Sequence, residues 1–251
     1  MKLTNLSSLK VLLFPLFLFL LLIIIETINA QQNNISLWKR ATKRVISHSK
    51  VYPKHYFEKE IIYDTKGNIK EWNSGSVSLT RNYNMSHVRF INGNKNGNPI
   101  PQKELKEVIK KINSSKVEDI YQSVLNPFDP MIQKSIKVKN TGKSIILHGK
   151  QSTIFTYSQF TKDTVWHGTA WIDTIRGLPL KIVCRPNKIK STEKNVTIKS
   201  LQLVVLYNKT FNHLYGPEKA VTYANFMYTP FPFINFRGRS ITHSTFSSYT
   251  R

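Results

Sequence analysis

The sequence predicts a domain built on an antiparallel β-meander, all-β or α+β in class. Three observations predict it. Strand-like runs follow one another from Ile136 to Tyr249 with short links, which suits a meander better than βαβ units. Thr197–Tyr207 alternates, putting Lys199, Leu201, Leu203, Val205 and Tyr207 on one face. Val165 to Cys184 reads as two apolar-rich runs joined by Asp173-Thr174-Ile175-Arg176-Gly177, a hairpin loop whose glycine can take a positive φ. On the first of these runs, Trp166 and Trp171 fall on opposite faces, because strand side chains alternate with period two.

The N-terminus reads differently. Lys2 and Lys10 precede an apolar run from Val11 to Ile25, interrupted by Pro15 and followed by a small residue at Ala30. This is the pattern of a secretory signal peptide over residues 1–30, cut at Ala30-Gln31, and the run is short against the roughly 20 residues of a spanning helix. The alternative is an uncleaved segment anchoring the protein to the inner membrane. No cysteine stands at the cut, so a lipid-modified N-terminus is not expected. Residues 31–251 then suit a single domain.

In chain order, Asn34 caps a helix expected from Ile35 to His48, with Ile35, Trp38, Ala41 and Val45 on its apolar stripe and Lys39, Arg40, Lys43 and Arg44 opposite. Such a helix either lies on a membrane or packs on its own domain. Strands are expected at His55–Tyr63, Asn68–Arg81 and His87–Ile91, the first two flanking the turn Asp64–Gly67. Asn92–Asn98 reads as a loop by composition. After Pro101, Leu105, Val108, Ile109 and Ile112 form one helical stripe. Ser115 and Glu118 form a capping-box pattern for a second helix, carrying Val117, Ile120, Tyr121, Val124 and Leu125 and stopped by Pro127 and Pro130. The remaining strands are expected at Ile136–Val138, Ser144–Leu147, Thr153–Phe160, Thr164–Ile172, Leu178–Arg185, Thr197–Tyr207, Ala220–Tyr228 and Ser240–Tyr249.

Catalytic signatures do not emerge. Gly142-Lys143-Ser144 lacks the earlier glycine of a phosphate loop, no G-x-S-x-G occurs, and the histidines have no metal-ligand spacing. Folding could still bring His167 near Asp173 or Ser200. Accordingly the sequence leads to no expected catalytic residue, metal ligand or cofactor. Cys184 is the only cysteine, which excludes an internal disulfide and reads as a small buried hydrophobe. Asn34, Asn84, Asn113, Asn195 and Asn208 match the glycosylation acceptor pattern, as several would by chance in an Asn-rich chain. The formal charge of +23 favours anionic partners, either a membrane surface or lipopolysaccharide, and export disfavours nucleic acid. The apolar strand faces are either core or the lining of a cavity, which periodicity does not separate.

The run Trp166-His167-Gly168-Thr169-Ala170-Trp171-Ile172-Asp173, continued by Gly177-Leu178-Pro179-Leu180-Lys181, resembles the W-x-G-x-x-W-I-D…G-x-P-x-K/R hairpin of bacterial outer-membrane lipoprotein-sorting proteins, the LolA/LolB-like superfamily. Phe246-Ser247-Ser248-Tyr249 is similar to their closing strand. The resemblance implies an α+β fold: an unclosed, strongly curved antiparallel sheet, or half-barrel, with helices covering the concave face. It implies a single lipid-binding domain over 31–251, working in the periplasm of a Gram-negative bacterium without chemistry. The ligand would be the acyl chains of a lipoprotein or another anionic lipid, with lysines around the cavity mouth. Candidate lining residues are Trp166, Trp171, Leu201, Leu203, Val205 and Tyr207, with Phe226 and Tyr228 beside them. The alternative function is a non-enzymatic envelope sensor on the same fold, binding a protein partner.

Overall fold

Eleven strands form one antiparallel sheet in the computed structural model, which describes residues 36–47, 50–82, 85–107, 124–162, 164–189, 195–231 and 234–250. They are β1 (Tyr52–Tyr63), β2 (Ile69–Asn82), β3 (Met85–Lys95), β4 (Asn98–Pro99), β5 (Ile136–Leu147), β6 (Lys150–Phe160), β7 (Val165–Asp173), β8 (Pro179–Pro186), β9 (Val196–Phe211), β10 (Leu214–Phe231) and β11 (Ile234–Thr250). Their order is β4-β3-β2-β1-β11-β10-β9-β8-β7-β6-β5. The connection between chain-distant parts is β1 on β11, with Tyr52 opposite Thr250. β4 and β5 remain as edges, so the sheet is an unclosed half-barrel.

The hairpin expected around Gly177 forms, and Asp173 organises it. Its Oδ1 accepts the N–H groups of Ile175 and Arg176 at 3.0 and 2.8 Å, and Gly177 takes φ +66°. Three expectations are corrected. Asn92–Asn98 is not a loop: β3 runs to Lys95 and turns at once through Asn96 (φ 50°) and Gly97 (φ 88°) into β4. Positive φ at both positions is what Asn-Gly supplies in a two-residue hairpin turn. Ile136–Val138 and Ser144–Leu147 are one strand, β5, interrupted by a bulge between Asn140 and Ser144. The first helix is shorter than expected. Among the described residues it covers 36–43 and ends there, because Val45 forms a bridge with Tyr215 and Ile46 N–H donates to Tyr215 O at 2.9 Å.

Among the described residues, two segments cover the apolar part of the concave face. The first is helix 36–43, which buries Leu37, Trp38 and Ala41 and leaves Lys39, Arg40 and Lys43 exposed. The second runs through Val124, Leu125 and Phe128 into a 3-10 helix, Pro130–Ser135, capped by Asp129. The two lock together and onto the sheet. Trp38 Nε1–H donates to Gln133 Oε1 at 2.9 Å, and its ring lies 4.5 Å from Phe128, 5.8 Å from Phe155 and 5.9 Å from Tyr157. Asn126 Nδ2 donates to Ile46 O at 3.0 Å and Tyr207 Oη to Leu125 O at 2.6 Å, supplying buried carbonyls with partners. Residues 102–107 are helical over β3, while the two apolar stripes beyond Glu107, up to Ser123, and the signal segment lie outside the described residues. Among the described residues no helix is long and apolar enough to cross a membrane.

Candidate ligand-binding site

One cross-strand row passes over ten strands and displays the concave face. In order it reads Asn140, Phe155, Ala170, Ile182, Val205, Ala220, Ser244, Glu58, Gly75 and Gly93, each opposite the next in register. From Phe155 to Ala220 it is apolar and buried beneath the covering segments. From Ser244 onward it carries a hydroxyl, a carboxylate and two glycines. The neighbouring row repeats the change: Cys184, Leu203, Thr222, Thr242, Glu60, Asn73 and Lys95. Alternation therefore delivers one continuous face with two chemistries.

The polar part is hollow. A cavity of ≈ 340 Å³ lies between β1–β3 and the segment 100–105 and is lined by Tyr56, Glu58, Glu60, Val77, Ile100 and Leu105, among others. The missing side chains of Gly75 and Gly93 make its floor, and a Cβ on Gly93 would stand 3.0 Å from Leu105 Cδ2. Its described lining is acidic. Glu58, Glu60, Glu71 and Glu104 line it, and its one lysine among the described residues, Lys95, is engaged with Glu71 at 3.1 Å. Beyond Lys95, the lysine rim expected at a cavity mouth involves residues outside the described ones. Desolvation, then the neighbouring Glu60 carboxylate, raises the Glu58 carboxyl above its ordinary range, against the lowering hydrogen bond from Ser244. Hydrogen bonding by Asn73, then by Lys95, holds Glu71 below it.

The residues singled out from the sequence separate into groups. Trp166, Leu203, Val205 and Tyr207 are buried in the apolar part of the concave face, and Leu201 packs half-buried against them. Trp171 points to the convex face, where Lys181 Nζ stands 5.3 Å above its ring. Phe226 lies over Gly238, 2.7 Å from where a Cβ would be, and Tyr228 is exposed and stacked on Phe236. Sequence reasoning missed Tyr56, Glu58, Glu60, Val77 and Leu105 as one constellation. The available signal was a pair of glycines, Gly75 and Gly93, inside strand-like runs.

Reactive groups are set apart from this face or silenced in it. His167 Nδ1 lies 3.0 Å from Ser158 Oγ, rather than beside Asp173 or Ser200, on the convex surface, where the lining residues include Lys137, Lys139 and Arg185 and no carboxylate to orient the ring. Burial pushes the Cys184 thiol up to about 12, leaving it a hydrophobe rather than a nucleophile. Among the described residues no three His, Cys, Asp or Glu side chains cluster as a metal site.

No family model matches the chain, and no curated protein matches it in sequence. In three dimensions it is similar to a LolA superfamily protein from Nitrosomonas europaea, at 6% identity and TM-score 0.41, over 86% of this chain and 91% of that one. It is similar to a DUF1329 family protein from Desulfovibrio piger at 10% identity and TM-score 0.39, over 85% and 91%. MucB, solved in complex with MucA, aligns at 6% identity and TM-score 0.20, over 76% and 89%. Each likeness is one of chain path, not of side chains.

Proposed function

We propose that the protein is an exported, periplasmic binding protein or carrier that holds acyl chains on its concave face and performs no chemistry on them. The observation that carries this reading is the cross-strand row itself. A continuous apolar surface, covered only by short segments among the described residues, runs without a break into a hollow with polar walls. An acyl chain has somewhere to lie and its polar end somewhere to be solvated. Each buried CH₂ contributes about 0.8 kcal/mol, so a chain gains affinity without any catalytic group. Glu58 and Glu60 favour the uncharged ester and amide ends of lipoprotein acyl chains over an anionic head group at this position. Trp166, Leu203, Val205 and Tyr207 would meet the chain once helix 36–43 and the segment 124–129 shift, whereas the hollow is open already.

Non-denaturing mass spectrometry of the natively purified protein, with lipid extraction, tests this. A stoichiometric acylated ligand is expected, together with uptake of a fluorescent acyl probe that Asn73→Trp, filling the hollow, lowers. A lipid-free protein that also refuses the probe would overturn the reading. A second reading, a sensor binding a protein segment, is favoured by one observation: β5 is a sheet edge with Ile145 and Ile146 exposed on it, a template for strand addition. A stable protein partner and no lipid after native purification would put that reading first.

A further inference from the structure

We propose that the end of the sheet made by the β10–β11 hairpin and the β1–β2 turn docks the protein on an anionic lipid bilayer. Two independent features meet there. The first is aromatic. Tyr228, Phe231 and Phe236 are 41%, 66% and 58% exposed, and Tyr228 and Phe236, partners in register, stack with centroids 6.5 Å apart. The ladder register shifts between Tyr228 and Phe231, where Pro230 cannot donate, and Phe231, in the last described pair with Ile234, stays exposed rather than in core. The second is cationic. A cleft of ≈ 760 Å³ beside these rings is lined by Lys66 from the turn, Lys199 from β9, and Arg237 and Arg239 from β11.

One carboxylate, Asp64, shares that cleft, and its oxygens face its own turn. Oδ1 accepts the N–H groups of Lys66 and Asn68, both at 2.9 Å, and Oδ2 accepts Asn68 Nδ2 at 3.1 Å. Among the described residues this end is therefore positive, whereas the hollow further along β1 and β2 is lined by glutamates. In the hairpin, Tyr228 and Phe236 face one side and Arg237 and Arg239 the other. Rings and cations thus flank one end, the composition of an interfacial anchor: rings at the acyl boundary, cations among the head groups. A protein surface would satisfy the rings equally, but the four cations around one turn-bound carboxylate select an anionic partner. A bilayer presents apolar and anionic groups at the two depths this end requires. The inference is independent of what the concave face holds.

The test is cosedimentation of the full chain with vesicles of phosphatidylcholine alone and of phosphatidylcholine mixed with phosphatidylserine. Binding is expected to the mixed vesicles, weakening with salt. Phe231→Ser with Phe236→Ser, and separately Lys199→Glu with Arg237→Glu, should each lower partitioning about tenfold or more. Lys137→Glu with Lys139→Glu makes the same charge change on the convex face and should alter it less than about twofold, since the effect of a charge falls off within a Debye length of the membrane. All these positions lie at the surface, and Phe231→Ser alone serves if the double variant melts early. Equal loss from the convex-face variant would overturn the proposal, because binding would then report net charge alone. Absence of vesicle binding, with Phe231→Ser and Phe236→Ser dissolving a dimer in sedimentation velocity, would also overturn it and assign the rings to a second copy.

Discussion

The two halves of the concave face are made by the same sheet, with the same alternation and in the same cross-strand rows, yet one is sealed and the other is hollow. Between Phe155 and Ala220 every position in the row is apolar and covered by Trp38, Phe128 and their neighbours. Between Ser244 and Gly93 the row loses both volume and apolarity. Glycine at Gly75 and Gly93 removes side chains, and Glu58 and Glu60 need water or a polar partner beside them. Architecture thus supplies a concave surface, and side-chain volume and polarity decide which part packs as core and which part, among the described residues, stays hollow.

The largest test of that division is to remove volume on each side. Phe155→Ala should cost about 3–5 kcal/mol of stability, because the ring is fully buried between Trp38 and the sheet and its cavity cannot collapse. Thr242→Ala, in the neighbouring row on the hollow side, should cost about 1 kcal/mol or less. Urea unfolding measures both, and equal losses would mean that the hollow is as much a part of the core as the sealed half.

Adding volume sharpens the contrast at a smaller scale. A Cβ on Gly168 would stand 2.3 Å from Tyr157 Cζ, a ring buried on the opposite strand with no room to retreat. Gly168→Ala should therefore cost about 1–3 kcal/mol. On Gly93 the same atom meets the end of Leu105 at 3.0 Å, a side chain on the cover of a cavity that can move aside. Gly93→Ala should shift the melting temperature much less. A larger loss at Gly93 than at Gly168 would break the distinction between a rigid half and a yielding one.

The sealed half was the legible one. Leu203, Val205 and Tyr207 announce their shared face by alternation, and Asp173 to Gly177 announces its hairpin by turn chemistry, both local signals. The hollow half was not legible, because β1 is ambiguous on its own. Tyr56, Glu58, Glu60 and Ile62 alternate with Phe57, Lys59, Ile61 and Tyr63, so neither face is the apolar one. Which set turns inward is fixed by pairing with β11, nearly the whole chain away, and a sequence pattern carries no such register. Asn96-Gly97 was a local signal overlooked among the surrounding asparagines. The charge of +23 is a sum over the whole chain and says nothing of where it lies, and the described lining of the hollow is acidic.

A single hydroxyl tests how firmly the cover is held over the sealed half. Tyr207→Phe keeps the ring against Phe128 at 5.6 Å and deletes only the hydrogen bond to Leu125 O. A loss of about 1 kcal/mol is expected, with faster exchange of amide hydrogens in residues 124–129. Under the carrier reading the same variant should take up an acyl probe faster, because the segment that must shift is tied less tightly. Unchanged stability and exchange would remove this bond from the forces that close the cover.

The smallest expected effect belongs to the hollow, and its sign is set by Glu58. Glu58 is exposed to solvent in the hollow, which screens the effect, while desolvation by the surrounding strands and then Glu60 hold its folded-state pKa above the ordinary glutamate value. Below the unfolded pKa the group is protonated in both states, and the folded protein has its full stability from this site. As pH rises through the raised folded pKa, the folded state must ionise a partly desolvated carboxyl beside another carboxylate, and a small part of the stability is lost. Glu58→Gln stays neutral throughout. It should melt with wild type at a pH below about 4, where an ordinary glutamate is protonated, and above it near pH 7. Melting curves across that window decide the matter. If wild type instead gains stability over Glu58→Gln on going from acid to neutral pH, the Glu58 carboxylate is solvated or paired, and the hollow is wetter than its geometry indicates.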